Sequence, residues 1–434
     1  MRVEAAVSGA HTKSARMRSV ARYNGWRCRA AANNITAAAG GGGGDSEGGS
    51  GKLLSEVHRV IIPAIPCSIP WRNHPDYKQL TAMSNAWVLA NFASLPGAEG
   101  RPATFAADHL IKSAFHMLGT LAFPTGLSQR MPPIIKMVAW SFMLDNILDD
   151  PREMGSDPAR AHEVVKSILS VFDGTYHSHC SHANPLVQVL TDTAAEWWAE
   201  LCLHHNLPPK QKARLRTALC NYLEASHTQI AFRNSRHLPN LETYFKLRAD
   251  TVGLWACLVL IEYSQAFVLD DEVLLHPLVI ALQEKTVQYC ILVNDILSFK
   301  REYMQGDFCN VVSLLYFKNL NNPNKAKASS TPTFQGAMKE ALQMIANKDE
   351  QCTQLMVEIN ESEALKKKPN LAKYLEGLGF QMSANAYWHL ASDRYGICAT
   401  PNLHITPPDM LAHHIINIKS SKEAANVVPF GVTM

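Results

Sequence analysis

Two groups of oxygen-bearing side chains have the spacing of a site for a hard divalent cation. The first contains Asp145 and Asp149, which lie four residues apart after a long apolar run and would share one face of a helix. Like charges at this spacing repel each other, and a bound cation would offset that cost. Mg²⁺ is the natural candidate, because it prefers oxygen ligands and usually retains water and substrate phosphates in its shell. Taken alone, the pattern also fits an acidic helix end that enters a loop at Pro151.

The second group consists of Asn294, Ser298 and Glu302, which recur every four residues. On a helix they form a slowly drifting stripe, and each presents an oxygen atom. The flanking residues are mostly apolar, which predicts that much of this helix is buried. A buried polar stripe needs partners. Those partners are either a metal ion or the polar side chains of a neighbouring helix.

A third cluster could bind a different metal. It contains His177, His179, Cys180 and His182, but it lacks the paired spacing of a structural zinc site. None of the 10 cysteines forms a CxxC pair. We therefore expect free thiols in a reducing compartment.

The elements that must hold these side chains are predicted to be helices. Pro132-Pro133 precedes the apolar run from Ile134 to Leu148, and proline is favoured at a helix start. Apolar residues within Ala161–Phe172 have the spacing of an amphipathic helix. Further helices are predicted over Lys210–Arg233, Asn240–Tyr263, Glu284–Tyr303, Phe334–Ile359 and Leu371–Arg394. Alternating β-branched runs are scarce, so the predicted fold class is all-α, with one helical domain.

Composition supports one large folded domain. The chain has 434 residues, of which 47% are hydrophobic, and this is enough to bury a sizeable core. The formal net charge is only +3, and no basic stripe with interleaved aromatic residues is present, so we expect no nucleic-acid partner. The longest apolar run, Val252–Ile261, is too short to span a bilayer, so we expect no transmembrane segment.

The ends of the chain differ from its middle. We predict a disordered Gly- and Arg-rich extension at residues 1–52, a helical domain at 53–420 and a tail at 421–434. The extension has many arginines and one acid before Asp45, which resembles an organellar transit peptide. A cytoplasmic location is the first expectation, with organellar targeting as the alternative. The polar segment Asn319–Pro332 is expected to be a surface loop.

The two oxygen-bearing groups together resemble the metal motifs of one enzyme family. Asn294, Ser298 and Glu302, with Arg301 in the basic position, resemble the second metal motif of the class I terpene synthases in its microbial form, (N/D)Dxx(S/T)xx(K/R)(D/E). The segment Asp145-Asn146-x-x-Asp149 is similar to the shortened aspartate motif of that family.

Two further segments agree with this resemblance. Arg248 follows Tyr244 in a segment similar to the family's YxxxR, and it lies 46 residues before Asn294, where the family has an arginine that senses diphosphate. Near the end of the domain, Arg394-Tyr395 resembles the family's terminal Arg-Tyr pair, with Trp388 six residues earlier. Four matches in the expected order, over about residues 55–400, identify the chain as a member of the class I terpene synthases of the microbial or fungal sesquiterpene type.

The resemblance implies that the helices form a single bundle around a central active-site cavity, and it implies roles for the residues of the motifs. It implies three Mg²⁺ ions, for which Mn²⁺ can substitute, two of them held by Asp145 and the third by Asn294, Ser298 and Glu302. Asp149 either binds a metal ion directly, or acts through water or by binding arginine. The implied diphosphate ligands are Arg248, Arg301, Arg394 and Tyr395. Each arginine could instead belong to a structural ion pair.

Four residues are expected at the product cavity. Aromatic faces stabilise a cation without capturing it, and Trp388 and Phe142 are the candidates, with ordinary core packing as the alternative. Thr251 and Val252 lie where family members break a helix near the diphosphate. Val252 departs from the more usual small residue at this position.

The expected function is Mg²⁺-dependent ionisation of a prenyl diphosphate, with farnesyl diphosphate as the first choice, followed by cyclisation to a sesquiterpene and release of diphosphate. One alternative is a chain-elongating trans-prenyltransferase, which would carry two DDxxD motifs. Another is a catalytically inactive helical protein that binds prenyl compounds. The chain is expected to be a monomer or a homodimer.

Overall fold

The structure is a computed structural model that describes residues 57–93, 95, 106–150, 154–177, 182, 184–204, 207–235, 237–320, 332–397, 414–419 and 428–429. The predicted extension at 1–52 and most of the predicted loop and tail lie outside the described residues. Those predictions, and the domain boundaries that depend on them, remain predictions.

Helices make up almost all regular structure in the described part of the chain, which confirms the all-α prediction. In chain order they are α1 (Tyr77–Phe92), α2 (Ala107–Lys112), α3 (Phe115–Ala122), α4 (Met131–Asp149), α5 (Pro158–Asp173), α6 (Pro185–Ala199), α7 (Pro209–Ser235), α8 (Leu241–Thr251), α9 (Leu254–Ser264), α10 (Asp271–Leu274), α11 (Pro277–Met304), α12 (Val311–Leu320), α13 (Phe334–Glu361) and α14 (Leu371–Ala391). No described helix is both long and apolar enough to cross a bilayer.

Short strands, which the sequence pattern did not predict, join distant parts of the chain. Strand β1 (Val57–Ile62) pairs antiparallel with β3 (His414–Lys419), with Val57 opposite Lys419. Strand β2 (His237–Leu238) pairs in parallel with β4 (Val428–Pro429). In β1 and β3, the inward side chains Val60, Ile62, Ile416 and Ile418 are buried.

Helix α4 places the first acidic group. Pro132 and Pro133 occupy its first turn, where the missing N–H groups would have no intrahelical partner. Most of its side chains are buried, and the Trp140 indole donates a 2.9 Å hydrogen bond to the carbonyl of Leu190 on α6. The helix ends at Asp149, so both predicted carboxylates lie in its last two turns.

Helix α11 lies in the interior of the bundle. It is 28 residues long and opens with Pro277 at its N-terminus, where His276 caps the amide of Leu278. From Tyr289 to Phe299 almost every side chain is buried. It packs most extensively against α13 and α14. The second oxygen-bearing group therefore lies on a central helix.

A break separates α8 from α9 at the point where the resemblance implied one. The stretch predicted as helical from Asn240 to Tyr263 is two helices, and Gly253 between them has a φ of 69°. This left-handed conformation favours glycine, since a side chain there is strained. The break exposes the end of α8, with Thr251 and Val252, to the centre of the bundle.

Candidate active site

A cavity of about 1600 Å³, including its open mouth, lies between the helices that carry the predicted residues. Its lining combines apolar side chains with oxygen-bearing and cationic ones. The predicted site residues that line it are Phe142, Asp145, Asp149, Arg248, Thr251, Val252, Asn294, Arg301, Glu302, Arg394 and Tyr395. Residues far apart in sequence therefore converge on one space.

Asp145 is a partly buried carboxylate with a phenolic donor. Its Oδ1 accepts a 2.6 Å hydrogen bond from the hydroxyl of Tyr222 on α7. Burial raises the pKa of Asp145 to about 6, and the nearby Asp149 carboxylate adds to that rise. Burial also raises the pKa of Tyr222 well above its usual range, so the phenol remains a donor. A cation beside Asp145 would favour the ionised carboxylate.

Asp149 is bound to an arginine that the sequence reasoning missed. The Arg233 guanidinium, almost completely buried, lies 2.9 Å from Asp149 Oδ1 and 2.8 Å from Asp307 Oδ2. It also donates to the carbonyl of Leu148 at 3.1 Å. Arg233 thus ties the end of α4 to the turn after α11. This is the arginine-binding role that the sequence left open for Asp149.

The second group lies on α11 as predicted. Asn294 Oδ1 accepts a 2.6 Å hydrogen bond from Arg248, and its Nδ2 lies 2.8 Å from Nε2 of His389. Glu302 Oε2 accepts from the amide of Asn310 at 2.8 Å. Burial raises the pKa of Glu302 to about 7, reinforced by the negative charges of Asp295 and Asp307.

Ser298 shows that this donor set fits a hard cation. Its hydroxyl is buried and has no hydrogen-bond partner within the described structure, although buried polar atoms are normally paired. With Asn294 and Glu302 it makes an all-oxygen set on one helix, which suits Mg²⁺. Among the described residues, no three His, Cys, Asp or Glu side chains converge as a metal-binding group. An ion here would therefore also need oxygens from water and from the substrate.

Asp295, the residue after Asn294, holds Arg248 in place. It accepts hydrogen bonds from the Tyr244 hydroxyl and, at 2.8 Å, from the backbone amide of Val311. Its Oδ1 lies 3.5 Å from Arg248 Nε. Arg248 also donates to the hydroxyl of Thr251 at 3.2 Å. The predicted diphosphate sensor is therefore fixed by both α8 and α11.

Two other predicted diphosphate ligands meet at one neutral oxygen. Asn146 Oδ1 accepts from Arg394 at 2.8 Å and from Arg301 at 3.3 Å. Burial, together with the charge of Arg394, lowers the pKa of Arg301. Arg394 also donates to the Tyr395 hydroxyl at 3.3 Å. The buried guanidinium of Arg394 and the partly buried one of Arg301, beside one amide, form a site that favours an anion.

The aromatic residues occupy two layers. Phe142 lines the cavity, and its ring lies 4.8 Å from the Arg394 guanidinium carbon. Trp388 lies behind Phe142, with ring centroids 4.7 Å apart, and is fully buried. Its indole donates to the carbonyl of Ala114 at 2.9 Å. Because this bond holds Trp388 against α3, the structure places it behind the cavity wall and not on it.

The His/Cys cluster gains no support as a metal site. His182 Nε2 lies 2.7 Å from the hydroxyl of Ser167, and His179 and Cys180 lie outside the described residues. All cysteines among the described residues are free thiols: Cys67, Cys202, Cys220, Cys257, Cys290, Cys309 and Cys352.

Five residues with polar contacts at the site were given no specific role by the sequence reasoning: Asn146, Tyr222, Arg233, Asp295 and His389. Asn146 and Asp295 lie inside the two motifs, so a polar residue at a buried helix position was an available signal. Tyr222, Arg233 and His389 come from other helices, and no local pattern connects them with the residues that they contact.

The comparisons with known proteins agree with this geometry. Residues 136–347, from within α4 to within α13, match the family model "Terpene synthase family 2, C-terminal metal binding". "Microbial Terpene synthase-like protein 13" of Selaginella moellendorffii is 26% identical over 336 residues, 77% of this chain and 86% of the relative. "Alpha-muurolene synthase" of Coprinopsis cinerea is 25% identical over 332 residues, 76% of this chain and 72% of the relative.

Solved structures show the same fold. Germacradien-4-ol synthase from Streptomyces citricolor has a TM-score of 0.56 at 16% identity and covers 75% of this chain and 97% of its own. Linalool/nerolidol synthase from Streptomyces clavuligerus has a TM-score of 0.59 at 18% identity, with coverage of 76% and 99%. At these identities the likeness concerns the fold alone.

Proposed function

The chain belongs to the terpene synthases, and from this premise we propose that it ionises a prenyl diphosphate with Mg²⁺ and cyclises the resulting carbocation. Farnesyl diphosphate is the proposed substrate and a sesquiterpene the proposed product. The observation that carries the proposal is the convergence of Arg248, Arg301 and Arg394 with the oxygen-bearing groups of α4 and α11 at one cavity.

The cationic side chains would bind the leaving group. Arg301 and Arg394 already lie together at Asn146, and their planar guanidinium groups can each donate paired hydrogen bonds to phosphate oxygens. Arg248 lies beside Asn294 on the α11 side. Tyr395 adds a neutral donor. Together these groups would stabilise the charge that builds on diphosphate as its bond to carbon breaks.

The metal ligands would be Asp145 on α4 and Asn294, Ser298 and Glu302 on α11. When bound, Mg²⁺ would neutralise phosphate oxygens and lower the cost of separating diphosphate from the allylic carbon. Asp145 and Glu302 must be ionised to bind it, and their raised pKa values show that burial disfavours the charge. Tyr222 and Asn310 hold the two carboxylates in place by hydrogen bonds.

The apolar part of the cavity would hold the hydrocarbon chain. Phe142 presents an aromatic face there, backed by Phe115 at 4.9 Å and by Trp388. An aromatic face stabilises a cation without forming a bond to it. Excluding water is equally important, because a carbocation reacts with any nucleophile that it meets.

The choice of farnesyl diphosphate is supported by the relatives. Several are named as sesquiterpene synthases, among them "Sesquiterpene synthase Agr1" of Cyclocybe aegerita, 24% identical over 352 residues.

The test supplies geranyl, farnesyl and geranylgeranyl diphosphate separately, with and without Mg²⁺, and analyses volatile products by gas chromatography and mass spectrometry. The expected result is a sesquiterpene from farnesyl diphosphate that requires Mg²⁺. A parallel reaction includes isopentenyl diphosphate. A longer prenyl diphosphate in that reaction, without terpene, would identify a chain-elongating enzyme instead. No diphosphate release from any substrate would leave only a prenyl-binding protein.

A further inference from the structure

A chain of three hydrogen bonds connects the backbone of α14 to a guanidinium in the cavity. The carbonyl of Asn385 lies 2.6 Å from Nδ1 of His389. Nε2 of the same ring lies 2.8 Å from Nδ2 of Asn294. Asn294 Oδ1 lies 2.6 Å from the Arg248 guanidinium. His389 is 1% exposed, so bulk water does not compete for these contacts.

The direction of each bond follows from the two ends of this chain. Arg248 can only donate, so the Asn294 atom that faces it must be the carbonyl oxygen. The Asn385 carbonyl can only accept, so Nδ1 of His389 must carry a proton. The amide nitrogen of Asn294 then faces Nε2 and donates to it. Nε2 must accept, and the imidazole is therefore neutral and protonated at Nδ1.

The surroundings of His389 favour that state. Its ring stacks on the ring of Tyr395, with centroids 4.8 Å apart and planes at 14°, which limits rotation of the imidazole. The imidazole is also held at both nitrogens, by the Asn385 carbonyl and by the Asn294 amide. The ring thus presents a fixed lone pair to Asn294.

We propose that His389 is a positioning residue that sets the orientation of the Asn294 amide. By accepting from Nδ2, it prevents the amide from turning over and keeps Oδ1 on the side of Arg248 and the cavity. This inference rests on the proposed function, in which Oδ1 is a metal ligand. Outer groups that orient ligands in this way commonly change metal affinity by about 10- to 100-fold when they are replaced.

The same geometry specifies the residue at position 294. An aspartate there would turn a carboxylate oxygen toward the Nε2 lone pair, and two acceptors repel each other. A neutral imidazole could donate to the aspartate only by carrying its proton on Nε2, which would turn the Nδ1 lone pair toward the Asn385 carbonyl and lose that hydrogen bond. The second metal motif permits either Asn or Asp at this position. In this chain, His389 on α14 favours Asn.

The test exchanges donor and acceptor across this contact. Four proteins are compared: wild type, Asn294→Asp, Asn294→Asp with His389→Gln, and Asn294→Asp with His116→Gln. Glutamine can donate its amide N–H to the aspartate, so it can restore a hydrogen bond. His116 is a buried histidine on α3 that does not line the cavity, so its replacement is the matched control. The measurement is thermal stabilisation by inorganic pyrophosphate as MgCl₂ is increased, which does not depend on turnover.

In wild type, Mg²⁺ with pyrophosphate should raise the melting temperature. Asn294→Asp should increase the MgCl₂ concentration for half-maximal stabilisation by about 10- to 100-fold, and adding His389→Gln should recover most of that loss. Adding His116→Gln should recover none. A double variant with His389→Gln that binds no better than Asn294→Asp would overturn the proposal. A wild type that Mg²⁺ and pyrophosphate do not stabilise would remove the proposed function, and this inference with it.

A second measurement covers the case in which the Asn294→Asp variants do not fold. Wild-type protein labelled with ¹⁵N-histidine is examined by NMR, and the His389 signals are assigned by their loss in His389→Gln. The expected spectrum shows His389 protonated at Nδ1 and unprotonated at Nε2 at neutral pH. Protonation at Nε2 would reverse the hydrogen bond to Asn294 and overturn the proposal.

Discussion

The hydroxyl of Tyr222 donates a 2.6 Å hydrogen bond to Oδ1 of Asp145. Tyr222 is buried and Asp145 is partly buried, and 77 residues separate them in the sequence. The bond favours the ionised carboxylate, in opposition to the burial that disfavours it. It also limits rotation of the side chain that would hold Mg²⁺ from α4. Tyr222 is thus the contact through which α7 positions Asp145, as Arg233 on the same helix positions Asp149.

Tyr222→Phe removes this donor and nothing else from the side chain. We expect a free energy of unfolding lower by about 1–3 kcal/mol, because a buried acceptor loses its partner. Mg²⁺ affinity should fall by about 10-fold or more, as measured by calorimetric titration with pyrophosphate present. Tyr289→Phe is the matched control, since the buried Tyr289 hydroxyl donates to the carbonyl of Pro66 away from the cavity. Equal Mg²⁺ affinity in the two variants would contradict a role for Tyr222 at Asp145.

Ser298→Ala should have opposite effects on the Mg²⁺-free and Mg²⁺-bound protein. Removing an unpaired buried hydroxyl should leave the Mg²⁺-free protein as stable as wild type or stabilise it, by up to about 1–3 kcal/mol. Mg²⁺ affinity should decrease, because one oxygen ligand is lost. Ser313→Ala on α12 is the control, since its hydroxyl is also buried and unpaired in the described structure but does not belong to the oxygen-bearing stripe of α11.

Denaturant titration with and without MgCl₂ and pyrophosphate measures both quantities for each serine variant. The control should match Ser298→Ala in its stability without Mg²⁺ and should match wild type in its Mg²⁺ affinity. If both variants bound Mg²⁺ as wild type does, Ser298 would be an unpaired hydroxyl and not a ligand.

Arg233→Gln should lower the free energy of unfolding. Losing the guanidinium leaves Asp307, which is 11% exposed, without its cationic partner, and breaking a buried pair from one side costs about 3–5 kcal/mol. Replacing Asp307 by Asn in the same chain removes the unpaired charge. The double variant should therefore be more stable than Arg233→Gln in urea unfolding. Strictly additive effects of the two substitutions would show that Arg233 and Asp307 are not coupled.

The pH dependence of Mg²⁺ binding follows from two partly buried carboxyl groups. Asp145 has a pKa of about 6 and Glu302 one of about 7, raised from ordinary values of 3.8 and 4.5. Each must lose its proton to bind Mg²⁺, so Mg²⁺ affinity should fall as pH decreases through the range from about 7 to about 5. Calorimetry at several pH values measures this. An affinity that is constant across this range would show that neither carboxylate binds the ion.

The same two carboxyl groups should make the stability of the Mg²⁺-free protein decrease as pH rises. Between about pH 4 and 7 the folded state binds more protons at Asp145 and Glu302 than the unfolded state does. Their contribution to stability is therefore present at low pH and is lost as pH rises through these folded-state pKa values. Asp145→Asn should reduce this slope, which can be read from melting temperatures in the presence of a chelator.

The sequence predicted the parts of the site that local spacing determines. Residues four apart share a helix face, so spacing alone is enough to group Asn294, Ser298 and Glu302, and the helix break near Thr251 followed from the family resemblance. The contacts between helices could not be predicted this way. Nothing near Arg233 or His389 in the chain indicates that they reach Asp149 and Asn294.

Packing explains the remaining differences from the sequence-based expectations. Trp388 has the position of a cavity residue in the motif, but the carbonyl of Ala114 accepts its indole N–H and holds it behind Phe142. Strands β1 and β3 pair although about 350 residues separate them, and each is only 6 residues long. Pairing at that distance depends on how the helices bring the two ends together, which a local hydrophobic pattern does not encode.

The most direct test of the central claim is the rate at which the protein releases inorganic pyrophosphate from farnesyl diphosphate, with MgCl₂ and with a chelator. We expect release by wild type only with MgCl₂, and a rate lower by about 100-fold or more for Asp145→Asn and for Glu302→Gln, because each loses charge stabilisation in the transition state. Undiminished release in the chelator, or by Asp145→Asn, would contradict the assignment of this cavity to metal-assisted ionisation.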